Sequence, residues 1–139
     1  MSNPSYKASR VVIAFAAFVM MGSGIAVAGM RFPAEVVVFN RGDGSGIAEG
    51  SLGSARNSTD TNQYIGCSVA TRKNLGTSVT CIARDSAGNE VLCSSNDADM
   101  IATARSLDTD SNLHFDVDTN GACITLIVEK YSYYEPKVR

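Results

Sequence analysis

The sequence predicts a mainly β protein: a small antiparallel sandwich or barrel-like domain of about five or six strands with one short helix, following a signal peptide. Three observations carry this expectation. Apolar and polar residues alternate with period two in several short stretches bounded by Gly, Asn and Asp. Four cysteines, Cys67, Cys81, Cys93 and Cys123, fall in a short chain with one histidine. A basic and then apolar N-terminus precedes them all.

Lys7 and Arg10 form the basic region of a bacterial-type export signal, and Val11 to Met21 is an unbroken apolar run. Gly22-Ser23-Gly24 interrupts it, and Ala26-Val27-Ala28 offers the small residues that signal peptidase accepts. Residues 1–28 are therefore read as a signal peptide cleaved before Gly29. Residues 29–57 are read as an N-terminal strand plus a Gly/Ser-rich connector, and residues 58–139 as a disulfide-bonded β-rich domain. Of 12 Lys+Arg and 14 Asp+Glu, only Lys7 and Arg10 lie in residues 1–28, so the remainder has ten basic and 14 acidic groups, a net charge of −4. That acidity argues against nucleic acid and against electrostatic docking on anionic lipid. After cleavage no stretch is left for stable membrane insertion.

Ala34 to Phe39, with Val36-Val37-Val38, reads as a strand entered through Pro33. Arg41 to Asn57 is rich in Gly, Ser and Ala and reads as a loose connector. From Gln63 onward Ile65, Cys67 and Val69 alternate with Tyr64, Gly66 and Ser68. A second strand follows through Val79, Cys81 and Ala83 after a polar turn at Thr71 to Thr77. Asp85-Ser86-Ala87-Gly88 has the chemistry of a type I turn completed by a left-handed Gly, which sets Ala83 opposite Val91, Arg84 opposite Glu90, and Cys81 opposite Cys93. A helix capped by Asn96 carries Met100, Ile101, Ala104 and Leu107 on one stripe. Asn120-Gly121 reads as a two-residue hairpin turn pairing Val117 with Ile124, Phe115 with Leu126 and Leu113 with Val128.

The even cysteine count in an exported chain indicates two disulfides, and the absence of short C-x₂₋₄-C spacing argues against zinc. Two connectivities suit a meander: Cys81–Cys93 with Cys67–Cys123, or Cys67–Cys81 with Cys93–Cys123. The tight hairpin favours the first.

No catalytic motif or cofactor signature is present. His114 with Asp116 lacks an activated nucleophile and reads as a strand histidine on the polar face. Asp116, Asp118 and Asn120 open like a calcium loop, but the twelfth position is Ile127 and turn chemistry accounts for the same residues. No metal is assigned. Arg41-Gly42-Asp43 is an integrin-ligand tripeptide that arises readily in a Gly-rich stretch. Tyr64, Tyr131, Tyr133 and Tyr134 are candidate surface contacts for a protein or a glycan. Val36, Val37, Val38 and Phe39 are a candidate assembly strand, able to pair at home or on an open edge of a neighbouring copy. In layout alone this resembles the subunits of strand-exchanged bacterial filaments.

The expectation is a secreted, periplasmic or cell-surface structural or binding module that is not an enzyme. Its partner is then a protein or a second copy rather than a small molecule. The alternatives are an inhibitor of a lysozyme or protease, and a small hydrolase using carboxylates such as Asp108, Asp110, Asp116 and Asp118. The intact mass of the exported, non-reduced protein should be that of a chain starting at Gly29 and lacking four thiol hydrogens. A mass retaining residues 1–28 contradicts the cleavage.

Overall fold

The computed structural model describes residues 31–136 and 138, so the signal-peptide reading of residues 1–28 lies outside the described residues. The elements are β1 (Val37–Asn40), β2 (Gly46–Ser51), α1 (Leu52–Asn57), β3 (Tyr64–Arg72), β4 (Gly76–Arg84), β5 (Glu90–Ser95), α2 (Ala98–Arg105), β6 (Asn112–Val117) and β7 (Cys123–Glu129). Two antiparallel sheets result, ordered β1-β2-β6-β7 and β3-β4-β5. The mainly β class holds, with seven strands rather than five or six and two helices rather than one among the described residues.

Strand alternation explains the core. Val38, Ala48, Leu113, Phe115 and Val117 point inward from the larger sheet. Ile65, Val79, Cys81, Ala83, Val91 and Cys93 come from the smaller one. Removing a Leu or Phe side chain such as Leu113 or Phe115 completely from water contributes about 1.5–3 kcal/mol. Helix α2 adds Ile101 and Ala104 to this core. Its N-cap is Asp97, one residue beyond the expected Asn96, because the Asp97 carboxylate accepts the N–H groups of Asp99 and Met100.

The connector expectation for residues 41–57 is corrected. Residues 46–51 form β2, an interior strand paired to β1 and β6, and residues 52–57 form α1. The small residues are there because neighbours approach closely. A Cβ on Gly46 would lie 2.9 Å from the Phe39 carbonyl oxygen, and one on Gly50 would lie 2.9 Å from the Val36 Cα. Ala48 between them is fully buried. Helix α1 is capped by Ser51, whose hydroxyl accepts the Ser54 N–H. The candidate assembly strand is likewise paired at home: Val37 to Asn40 match Glu49 to Gly46, and Val36 and Val38 are buried.

The β4–β5 hairpin has the anticipated register, with Gly88 at φ 89°. The β3–β4 turn is tighter than expected, since pairing extends to Arg72 and Gly76. The β6–β7 turn departs from the two-residue form. Asp118 accepts the backbone N–H groups of Asn120 and Ala122, and its backbone N–H and C=O bond Ala122 and Gly121. The longer loop is accompanied by an irregularity after Asp116, so Val117 meets Cys123 while Ile124 is exposed. Phe115–Leu126 and Leu113–Val128 pair as anticipated.

The bridges are Cys67–Cys81 and Cys93–Cys123, which corrects the favoured pairing. Two constraints decide it. Cys81 lies level with both Cys67 and Cys93, but antiparallel pairs alternate between wide hydrogen-bonded and narrow non-hydrogen-bonded positions. The Cα atoms of Cys67 and Cys81 are 4.0 Å apart, a narrow pair, so alternation makes Cys81 and Cys93 a wide one. Cys67 is also two strands away from β5, whereas Cys123 is carried to β5 by the Ser94 N–H bond to the Gly121 carbonyl, 2.9 Å. Each bridge contributes about 3–4 kcal/mol on the loop-closure account.

Close packing of β2 has a direct test. Gly50→Ala should cost about 1–3 kcal/mol in urea unfolding of the non-reduced protein. Gly66→Ala, whose Cβ meets nothing within 4 Å, should stay within about 0.5 kcal/mol of wild type. Equal effects contradict the packing account.

Candidate functional site

Strand register lays out the outer face of the larger sheet. Val37, Glu49, His114 and Ile127 form one row across β1, β2, β6 and β7. Phe39, Ile47, Asp116 and Thr125 form the next, and Asn112 and Glu129 begin a third. The first two rows run from apolar at β1 to polar at β2 or β6. Val37 is 63% exposed and Phe39 60%, an unusual outlay of large apolar surface on one short strand.

The C-terminal segment closes one end of this face. The Phe32 N–H donates to the Tyr133 carbonyl at 2.7 Å. Asn57 of α1 holds the segment beyond, its Nδ2 donating to the Pro136 carbonyl and its Oδ1 accepting the Val138 N–H, both at 2.9 Å. Tyr131, Tyr133 and Tyr134 consequently cluster, with the first two rings stacked at 5.1 Å between centroids. Two clefts follow. One of about 390 Å³ is lined by Ala34, Glu35, Val37, Phe39, Ile47, Glu49 and Gly50. The other, about 360 Å³, is lined by Phe32, Ala34, Glu49, Tyr133 and Tyr134. They share Ala34 and Glu49 and so form one bent groove, apolar along its floor and acidic at its rim.

A polar network underlies the rim. Asn112, 1% exposed, donates from Nδ2 to Glu49 Oε1 at 3.4 Å and to Glu129 Oε2 at 3.1 Å. One amide thereby spans two carboxylates. The Tyr134 hydroxyl donates to Glu129, and burial together with that carboxylate pushes the phenol well above its usual range. His114 sits between acids, its Nδ1 3.5 Å from Glu49 and its Nε2 3.4 Å from Asp116. Both ring nitrogens face carboxylates, an arrangement that holds the ring in place.

No protein-family model, curated protein or solved structure matches this chain.

The structure brings together some of the residues singled out in the sequence and separates others. Tyr131, Tyr133 and Tyr134 are one cluster, with Tyr134 buried rather than a surface contact because its phenol reaches inward to Glu129. Tyr64 is on the other sheet, bonded to Glu90 at 2.5 Å with Arg84 over its ring. Asp116 faces His114, while Asp118 is spent on its own turn, whose N–H groups hold its carboxyl below the ordinary range. Among the described residues no three His, Cys, Asp or Glu side chains converge as for a metal ion. Arg41-Gly42-Asp43 occupies the β1–β2 hairpin loop, where Asp43 Oδ1 accepts the Ser45 N–H and hydroxyl at 2.9 and 2.6 Å. Asp108 pairs with Lys130 at 3.0 Å, and Ser111 and Lys130 together lower its carboxyl to about 2.

Phe32, Ile47, Glu49, Asn112 and Glu129 were not singled out in the sequence. A signal for two of them exists: in Gly46-Ile47-Ala48-Glu49-Gly50 the larger residues occupy every second position, which is strand alternation with its small side turned inward.

The amide span is testable. Asn112→Asp sets a third carboxylate beside Glu49 and Glu129, which raises its folded pKa above an unfolded value of about 3.9. The cost should be smallest below about pH 4 and grow as pH rises, reaching at least about 2 kcal/mol at pH 7. A pH-independent cost contradicts the network.

Proposed function

We propose that this protein is an exported, non-enzymatic binding module whose groove along β1 and β2 holds an extended, apolar and basic segment of a partner protein. The observation that carries the reading is the pair of adjoining clefts from Phe39 to Tyr133, which share Ala34 and Glu49 and are lined by exposed apolar side chains together with the Glu35 and Glu49 carboxylates. Contiguous exposed apolar surface with a polar rim is the usual anatomy of a protein contact. The carboxylates supply charge complementarity for Lys or Arg, steering association and fixing register. The two disulfides suit an oxidising, extracellular-type compartment, and no helix among the described residues is long and apolar enough to cross a membrane.

The experiment is selection of a displayed random peptide library on the non-reduced protein. Peptides combining Lys or Arg with aliphatic or aromatic residues should be enriched, and Phe39→Lys or Glu49→Lys should each weaken them about tenfold or more. No enrichment, or enrichment indifferent to both substitutions, overturns the reading.

The acidic rim also favours a second reading, inhibition of a basic enzyme. Stoichiometric protein then slows a basic lysozyme, and Glu49→Lys abolishes the effect. Unchanged turnover removes it.

A further inference from the structure

The sheets differ in how their edges are finished. At the β1 edge the strand is four residues long, the Val36 N–H is taken by Gln63 Oε1 at 3.0 Å, and the Asn40 side chain is tied to the Glu90 carbonyl. The start of β7 is joined to β5 through Ser94 and Ala122. Strand β3 is different. It is nine residues long, pairs in unbroken register with β4, and among the described residues has no other strand partner. Tyr64–Arg72 contains no Pro, no Lys and no bulge, which are among the devices that blunt an edge; α1 and α2 pack close to this strand and Ile65 is buried, while Ser68, Thr71 and Arg72 are exposed.

Alternation says which backbone groups are left over. Cys67 and Cys81 form a narrow, non-hydrogen-bonded pair, so the N–H and C=O of Cys67 point away from β4. The same holds for Ile65, Val69 and Thr71, two residues apart along the strand. The Leu75 N–H bond to the Arg72 carbonyl at the turn, 3.1 Å, fits this phase, since Arg72 then belongs to the set facing β4.

We propose that this edge docks a second copy of the chain, whose own β3 adds antiparallel about Ser68. That register sets Cys67 opposite Val69 and Ile65 opposite Thr71, all with outward backbone groups, so the leftover donors and acceptors satisfy one another. Side chains agree with it. Gly66 meets Ala70, Ser68 meets Ser68, and Tyr64 meets Arg72, small against small and a phenol against a guanidinium. Charge agrees too. The hairpin tip carries Arg72 and Lys73, whereas the opposite end of β3 has Asp60 and Asp85, with Arg84 there already bound to Glu90 at 2.7 Å. Antiparallel addition lays the basic tip of each copy beside the acidic end of the other. The contact is isologous and closes after two copies. It is separate from the β1–β2 groove and does not depend on what fills that groove.

The test uses the exported, non-reduced chain in sedimentation velocity over a micromolar to millimolar range. Wild type should reach the mass of two copies. Ser68→Lys, which sets like charges face to face on the exposed side, and Thr71→Pro, which removes an outward N–H, should each raise the dissociation constant about tenfold or more. Both variants must keep the wild-type circular dichroism and both disulfides. Independently of those two, Ser68→Cys should form a covalent pair on oxidation, because position 68 meets itself. Ala70→Cys should not, because it meets position 66. A wild type that stays monomeric throughout, cross-linking that is absent or equal at 68 and 70, or self-association unchanged in Ser68→Lys and Thr71→Pro overturns the proposal.

Discussion

The smallness of β2 is the constraint on which the rest depends. Gly46, Ala48 and Gly50 let a central strand lie against β1 and the chain entering it, with no room for a Cβ at either glycine. Because those residues face inward, Ile47 and Glu49 must face outward, where they line the groove. Any larger residue at 50 would push Val36 away and move β1 with it. The exposed Val37 and Phe39 are thus placed by packing on the opposite side of the sheet. Site and core are two faces of the same strands.

The disulfides divide the stabilisation differently. Cys67–Cys81 locks neighbours within the smaller sheet, whereas Cys93–Cys123 ties the smaller sheet to the start of β7. The second acts where Ser94 and Gly121 already share a backbone bond, so covalent and hydrogen-bonded links coincide at one corner. The far side is held by noncovalent means: the Phe32–Tyr133 backbone bond and the Asn57 amide gripping the C-terminal segment. That segment in turn carries the tyrosines to the groove.

How much of this is legible in the sequence follows from the range of each interaction. The β4–β5 hairpin is local: Asp85 to Gly88 fixes the turn, and the turn fixes every pair after it. The β6–β7 hairpin was legible in its inner pairs, but Asp118 captured two N–H groups and lengthened the loop, which shifted Val117 by one partner. Residues 46–57 are not legible as strand and helix because Gly, Ala and Ser serve equally for loose chain and for close approach, and only the distant neighbours Val36 and Phe39 distinguish the two. The disulfide choice turned on which cross-strand pairs are narrow, a property of strand phase rather than of composition. Asn112 spanning Glu49 and Glu129 joins residues far apart along the chain, so no spacing announces it.

The most direct measurement of the central claim is hydrogen–deuterium exchange of the non-reduced protein, followed for the backbone amides of residues 46–51 against those of β6. A central strand held by neighbours on both sides exchanges only on opening of the sheet, so these amides should be protected to a degree similar to Leu113 to Val117. Exchange of residues 46–51 at the rate of free chain, with β6 still protected, would mean that this stretch is a connector after all and that the groove built on Ile47 and Glu49 does not exist.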